Sequence, residues 1–364
     1  MCGIVGGFSP NLVDMLCQIQ HRGFTSCGFV TRHSKQYAKR AKHLVKVREP
    51  GIGHVRYATQ DSPPQPFKYR DSYLAFNGEV AEGDTEKIAH ALYHGGKVDG
   101  AYSFVWMRGN TIIAGRDRNG FHPMFHACGE EGYVVASETV ADPSLYWVEM
   151  PPGVILRLND GMVEPKVQIF PPKKTPCSLE DVYFSHVANR GTWQRRKELG
   201  RLIKIPKSID VIVPVPESAI AAAEALSEKT GVPMVSAIVK NRYSERTFIA
   251  ECGFGRKYTL IPDAIRGKRI ALIDDSIIRG NTMRAIVPKM SRYAAEVHVR
   301  VTFPQVRHPC RYGVRIDGPG CGEISEADSL EFLCASHFDG CLACVNGVYS
   351  SVETEVGPLT KFAV

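Results

Sequence analysis

No stretch of this chain approaches the about 20 consecutive apolar residues that a membrane-spanning helix requires. Its first residues hold no basic segment leading into an apolar run, which is the pattern of a secretory signal. A cytoplasmic protein without a membrane partner is therefore expected. Long basic tracts are also lacking. The formal charge is +7, yet Lys and Arg are interspersed with Asp and Glu along the whole length. That pattern argues against nucleic acid as a partner and suits anionic small substrates. Internal repeats and low-complexity segments are missing, which excludes solenoids and disordered tails as the main architecture. Cysteine, by contrast, is plentiful, with eleven in 364 residues. Without a secretory signal, these thiols point to catalysis or metal binding and not to a disulfide framework.

A composition of 44% hydrophobic and 23% charged residues is that of a globular chain, and 364 residues suggest two domains. The best linker is Phe170-Pro171-Pro172-Lys173-Lys174-Thr175-Pro176, since closely spaced prolines sustain neither helix nor ladder. The boundary is set near 172–176, with domains over 2–170 and 176–364.

The chain begins Met1-Cys2-Gly3-Ile4-Val5-Gly6-Gly7. Once Met1 is removed, Cys2 carries a thiol and a free α-amine with a pKa of about 8, so nucleophile and proton acceptor share one residue. On that reading no separate catalytic histidine is required, and the mature chain is expected to begin at Cys2. Short apolar runs with turn punctuation at 4–6, 73–76, 102–107, 111–114 and 133–136 predict strands, and helices are expected near 11–20 and 85–94. Among them lie His21-Arg22-Gly23, Gly53-His54-Val55-Arg56-Tyr57-Ala58-Thr59, Phe76-Asn77-Gly78-Glu79 and Gly83-Asp84-Thr85-Glu86.

With Cys2, and in this order, these strings resemble the glutaminase domain of the class II, N-terminal-nucleophile glutamine amidotransferases. The resemblance implies an αββα sandwich in which Cys2 attacks the carboxamide of glutamine. It further implies that Asn77 and the Gly78 N–H form an oxyanion hole, that Arg56 and Asp84 bind the substrate's α-carboxylate and α-ammonium, and that Thr59 helps orient it. The residue after His21-Arg22-Gly23 is usually polar in that family, and here it is Phe24.

The second half reads as strand, helix, strand. Residues 209–218 read as an apolar strand entering a loop, and Ser218 is expected to cap an Ala-rich helix ending near Thr230 before Gly231. Further strands are expected at 233–239, 269–273 and 298–303, the rhythm of a doubly wound parallel sheet whose ligands sit at the strands' carboxyl ends. At one such end, Asp274-Asp275 closes the strand and Ser276-Ile277-Ile278-Arg279-Gly280-Asn281-Thr282 leads into a helix. Adjacent carboxylates suit ribose hydroxyls or Mg²⁺, and N–H groups at a helix N-terminus suit a phosphate.

This run resembles the phosphoribosyl pyrophosphate (PRPP) loop of type I phosphoribosyltransferases. Together with Pro214-Val215-Pro216-Glu217-Ser218, Lys240-Asn241-Arg242-Tyr243 and His308-Pro309-Cys310, it extends the resemblance over nearly the whole chain, to the glutamine PRPP amidotransferase family. That likeness implies Mg²⁺ on Ser218, Asp274 and Asp275. It places the PRPP phosphate on Ser276, Arg279, Gly280, Asn281 and Thr282, with Lys240 and Arg242 supplying positive charge. The activity implied is transfer of ammonia from glutamine to C1 of PRPP, giving 5-phosphoribosylamine, the first step of purine synthesis. A homo-oligomer, tetrameric in relatives, and purine nucleotides as feedback inhibitors are also implied. Departures are Asn281 where Thr is usual, Ser185-His186-Val187-Ala188-Asn189 where an Arg-Pro-Asp-Ser segment is usual, and a shortened loop around 250–262.

Cys341-Leu342-Ala343-Cys344 alone could be redox-active, zinc-binding or incidental. In one subgroup of the family, positions like Cys177, Cys310, Cys341 and Cys344 ligate a structural [4Fe–4S] cluster, while four thiolates equally suit zinc. Cys321 and Cys334 are rival ligands; Cys17, Cys27, Cys128 and Cys252 read as core or incidental. Two other functions compete: a paralogue that senses PRPP or binds nucleic acid in a regulatory role, and an amidotransferase with a different acceptor.

Overall fold

The structure, a computed structural model, describes residues 2–57, 63–80, 85–96, 100–129, 132–159, 162–163, 167–168, 174–241, 258–310, 324 and 326–348. They form two compact units, divided between Cys177 and Ser178, with Cys310 grouped with the first unit.

The first unit holds two antiparallel sheets. One runs, edge to edge, Val148–Glu149, Phe125–Gly129, Gly132–Ala136, Gly3–Gly7, Gly51–Arg56, Ser26–Thr31 and Lys35–Ala38. The other runs Met162–Val163, Val154–Asn159, Thr111–Arg116, Gly100–Arg108, Ser72–Val80 and Phe67–Tyr69, with Val167–Gln168 also on Val154–Asn159. Strict alternation assigns each strand two buried faces. Ile4, Val30, Ile52, Ala75, Val105 and Ala114 fill the space between the sheets. Their neighbours point outward. Val5, Phe29 and Val55 meet Leu12, Met15 and Leu16 of helix Leu12–Gln18, while Leu74, Phe76, Phe104 and Trp106 meet Ile88, Ala89 and Leu92 of helix Thr85–His94. Helix, sheet, sheet, helix is the αββα sandwich expected from the resemblance.

The second unit centres on a parallel sheet ordered Val211–Pro214, Arg269–Asp274, Glu296–Val301 and Ser329–Phe332. Helix Ile220–Thr230 stops at Gly231, which takes the left-handed φ of +73° that few side chains tolerate. The helix at its other end is not capped by Ser218. Ala219 occupies that position without a side-chain cap, because the Ser218 hydroxyl donates instead to the Asp275 carboxylate. The single strand expected at 233–239 is divided: Met234 makes a lone parallel bridge to Ile212, and Ile238–Lys240 pairs antiparallel with Tyr258–Leu260.

Candidate active sites

In the first unit, Cys2 sits just ahead of strand Gly3–Gly7, whose Gly3 and Ile4 pair with Val55 and His54. By alternation Cys2, Ile4, His54 and Arg56 share the face turned to the second sheet. Asn77 shares the inward face of its strand with Ala75. The main-chain N of Cys2 donates to Asn77 Oδ1 at 3.0 Å. Asn77 is buried, and among the described residues its Nδ2 has no hydrogen-bond partner. A donor left unmet in a dry site costs about 1–3 kcal/mol; here it stands on the residue that binds the Cys2 nitrogen. The next residue must be glycine, for a Cβ at Gly78 would lie 2.2 Å from Ala101 O.

The sulfur receives the Tyr57 N–H at 3.4 Å. Burial alone would push the Cys2 thiol up, but His54, the positive chain terminus and the Tyr57 backbone together outweigh burial and lower it to about 6. That direction favours the nucleophilic thiolate form. Cys27 shows the opposite outcome: a core thiol that burial pushes up to about 11.

His21-Arg22-Gly23 carries no assigned role in the sequence reading, and the structure gives it one. Arg22 Nε donates to Cys2 O at 3.0 Å, and its guanidinium pairs with Glu138, both side chains being buried. His21 reaches the other Glu138 oxygen at 2.9 Å. Although burial opposes its charge, Arg22 and His21 hold the Glu138 carboxyl below the usual carboxylate range. Gly23 lies flat on strand Gly51–Arg56, where a Cβ would fall 2.4 Å from Arg56 C and 2.6 Å from its N and O. Phe24, the departure from the family pattern, stacks under the Arg40 guanidinium at 5.1 Å and gives its carbonyl to the same group. Arg56 ends its strand half-buried, with Nη1 donating to Pro63 O at 3.2 Å. Thr59 and Asp84 lie outside the described residues.

In the second unit, strand Arg269–Asp274 delivers two buried carboxylates at its end. Asp275 N–H donates to Asp274 Oδ1 at 3.0 Å; the Ser276 hydroxyl donates to Asp275 Oδ1 at 2.6 Å and the Ser218 hydroxyl to Oδ2. Burial raises the Asp275 carboxyl, against the hydroxyl hydrogen bonds and Arg196. A buried carboxylate met by hydroxyls fits a bound cation. Helix Asn281–Met290 begins directly after Gly280, at φ +73° and with no side-chain cap, so its first N–H groups lack a side-chain acceptor there. Ser276 to Thr282 thus wrap from the carboxylates to a helix N-terminus. Lys240 pairs with Glu217 at 3.3 Å, both largely exposed, and Arg242 lies outside the described residues.

Of the four cysteines, Cys344 is buried and the others half-buried. Ser178 N–H donates to Cys341 O at 3.3 Å, and the Arg307 and His308 N–H groups to Cys344 O at 2.9 and 3.0 Å. Among the described residues, however, no three His, Cys, Asp or Glu side chains are gathered as a metal-binding set. The residues therefore do not yet display a cluster site. Cys334 is exposed, and Cys252 and Cys321 lie outside the described residues. None of the described helices is long and apolar enough to cross a membrane.

No protein-family model matches the chain. It is 31% identical to the amidophosphoribosyltransferase of Bacillus subtilis, covering 100% of this chain and 97% of that one. It is 28% identical to the Methanocaldococcus jannaschii amidophosphoribosyltransferase, covering 96% and 97%. Among solved structures, the B. subtilis glutamine PRPP amidotransferase complexed with ADP and GMP superposes with a TM-score of 0.83 at 28% identity, covering 96% of each chain. These likenesses define a class: an N-terminal-nucleophile glutaminase joined to a phosphoribosyltransferase unit. Within it, the chain belongs to the amidophosphoribosyltransferase family.

Proposed function

We propose that the chain hydrolyses glutamine at Cys2 and transfers the ammonia to C1 of PRPP, releasing glutamate, pyrophosphate and 5-phosphoribosylamine. The observation that carries this reading is Asn77, which binds the Cys2 nitrogen through Oδ1 and keeps an unmet Nδ2 donor at the same place. With Met1 removed, the hydrogen bond from Cys2 N becomes one from the α-amine. Asn77 then orients the proton carrier and, with the Gly78 N–H, receives the negative oxygen of the tetrahedral intermediate. One such donor is worth about 10²–10³ in rate. Arg56 takes the substrate's α-carboxylate as a planar fork, with Asp84 and Thr59 completing the glutamine site.

In the second unit, Ser218, Asp274 and Asp275 would hold Mg²⁺, which when bound neutralises charge on the departing pyrophosphate. Ser276, Arg279, Gly280, Asn281 and Thr282 cradle the 5-phosphate with main-chain N–H groups and the helix N-terminus. Lys240 and Arg242 add positive charge. Displacement at C1 then depends chiefly on orientation of ammonia against PRPP. A structural [4Fe–4S] cluster on Cys177, Cys310, Cys341 and Cys344 is implied by the resemblance alone and would take no part in the reaction. Purine nucleotides are proposed as inhibitors by likeness to the B. subtilis relative complexed with ADP and GMP, and a homo-oligomer in the cytoplasm is proposed from the resemblance alone.

The test is PRPP-dependent release of pyrophosphate with glutamine and with ammonia as donor. Both donors support release if the reading holds. Glutamate release without any pyrophosphate would instead favour the regulatory paralogue.

A further inference from the structure

The mixture of charges that argues against a nucleic-acid partner fails in one place. Residues 32–48 hold seven of the chain's 45 Lys and Arg and none of its 38 Asp and Glu, so this one segment carries the entire formal excess of +7. Neutral residues separate most of these cations, which is why no consecutive basic run is visible. Arg32, Lys35, Lys39, Lys42, Lys46 and Arg48 are all exposed. Among the described residues only Lys46 of the seven meets a carboxylate, that of Asp14 at 2.7 Å. The segment is also firmly built. Strand Lys35–Ala38 closes one edge of the first sheet. Beyond it Ala41, Leu44 and Val47 recur every third residue and pack into the core that helix Leu12–Gln18 covers, leaving the cations between them outward. Gln36 accepts the Val45 N–H at 2.7 Å and donates its own amide to Val45 O at 3.1 Å, which folds the chain back against the strand. Gln20 Oε1 accepts the Ala41 N–H at 2.6 Å. One or two edge lysines suffice to keep a sheet from pairing with another chain; the cations continuing along the return to Arg48 exceed that need. Among them stands a tethered aromatic ring. Tyr37 alternates with Lys35 on the strand, and Lys39 is the next residue in that alternation. Its hydroxyl donates to Pro66 O at 2.7 Å, yet 44% of the residue stays exposed.

We infer that residues 32–48 form a binding surface for single-stranded nucleic acid: Arg32, Lys35, Lys39, Lys42 and Arg48 meet its phosphates, and the Tyr37 ring receives a base on its exposed face. Positive charge alone would suit any polyanion. The tethered ring decides the class, because an unpaired base stacks on an aromatic face and an acidic peptide offers no counterpart to that contact. A duplex is disfavoured for the same reason, since its bases already stack on one another. Phosphate contacts carry no sequence information and stacking accepts every base, so the binding is independent of sequence. The backbone is already held by Gln20, Gln36 and the three core anchors, so little ordering is left to oppose binding. None of the residues placed at Cys2 or in the PRPP loop takes part.

The probe is a fluorescein-labelled single-stranded RNA of mixed sequence, about 20 nucleotides long, titrated with the full chain and followed by fluorescence anisotropy between about 50 and 200 mM NaCl. Five phosphate contacts, one for each unpaired exposed cation, predict that log K falls against log[salt] with a slope of about −3.5, or roughly 100-fold across that range. Lys39→Ala/Lys42→Ala, which alters only exposed side chains, should make the slope shallower by about 1.4. Tyr37→Leu should weaken binding at least about fivefold at a single salt concentration and leave the slope unchanged. Absence of any anisotropy change with wild type at the lowest salt overturns the inference. A double variant that melts like wild type and binds with an unmoved slope does so as well. If a polyglutamate peptide of the same length displaces the RNA while Tyr37→Leu binds RNA as wild type does, the surface belongs to an acidic protein and the assignment to nucleic acid falls. RNA binding that saturating PRPP abolishes would place the RNA on the PRPP loop and equally overturn it.

Discussion

Replacing Asn77 tests the two tasks proposed for its amide. Oδ1 accepts from Cys2 N at 3.0 Å, while the buried Nδ2 has no partner among the described residues. In Asn77→Ala both atoms vanish. Loss of the oxyanion donor should reduce kcat for glutamine hydrolysis by about 10²–10³, equivalent to about 2.7–4 kcal/mol of transition-state binding. The effect on folding should be far smaller. Losing Oδ1 leaves the Cys2 nitrogen without its acceptor, at about 1–3 kcal/mol, and removing the buried unmet Nδ2 recovers a similar amount, so the two nearly cancel. Asn77→Asp keeps an acceptor for the nitrogen but sets a carboxylate where the oxyanion should form, and its loss of kcat should be at least as great. Steady-state glutamate release, with KM and kcat separated, and thermal melts of the same preparations measure both sides. A variant that retains more than about a tenth of wild-type kcat, or one that loses activity only in proportion to lost stability, would refute the assignment.

Glu138→Gln leaves Arg22 buried without its counter-charge, which should cost about 3–5 kcal/mol and lower the melting temperature. Because Arg22 and His21 lower the folded-state value, the wild-type contribution is present above the unfolded carboxyl value of about 4.3 and is lost as pH falls through the lower folded value. The difference between the two melting curves should therefore shrink as the solution is acidified; a constant difference would contradict the pairing. Gly23→Ala drives a Cβ into the Arg56 backbone and should reduce kcat/KM for glutamine at least about tenfold by shifting the α-carboxylate fork, leaving ammonia-dependent pyrophosphate release intact. Asp275→Asn should abolish pyrophosphate release with either donor and remove the rise in melting temperature expected of wild type on addition of Mg²⁺, without lowering the melting temperature in the absence of metal.

The candidate nucleophile and the candidate PRPP loop could be proposed from the sequence because each is carried by contiguous residues: a cysteine behind the initiator methionine, and two carboxylates closing an apolar strand. The inward and outward faces of the first sheets were legible too, from the alternation of residues such as Leu74, Ala75 and Phe76. What the sequence could not show depends on register between distant strands. Glu138 reaches Arg22 across 116 residues, and nothing around Ser137-Glu138 advertises it. Gly23 could be seen in its motif, but its reason is a close approach to Arg56. Ser218 illustrates a different limit: a serine ahead of a helix is a sound cap by local rules, and a buried carboxylate 57 positions away competes for its hydroxyl.

The central claim is that one chain couples an amide-hydrolysing thiol to a PRPP site, and Cys2→Ala tests it most directly. PRPP-dependent pyrophosphate release would be measured in wild type and variant, with glutamine and with ammonium chloride as alternative donors. The account predicts that wild type uses both donors and that the variant loses glutamine-dependent release while retaining release with ammonia. Survival of glutamine-dependent release in Cys2→Ala, or absence of pyrophosphate from wild type with either donor, would contradict it.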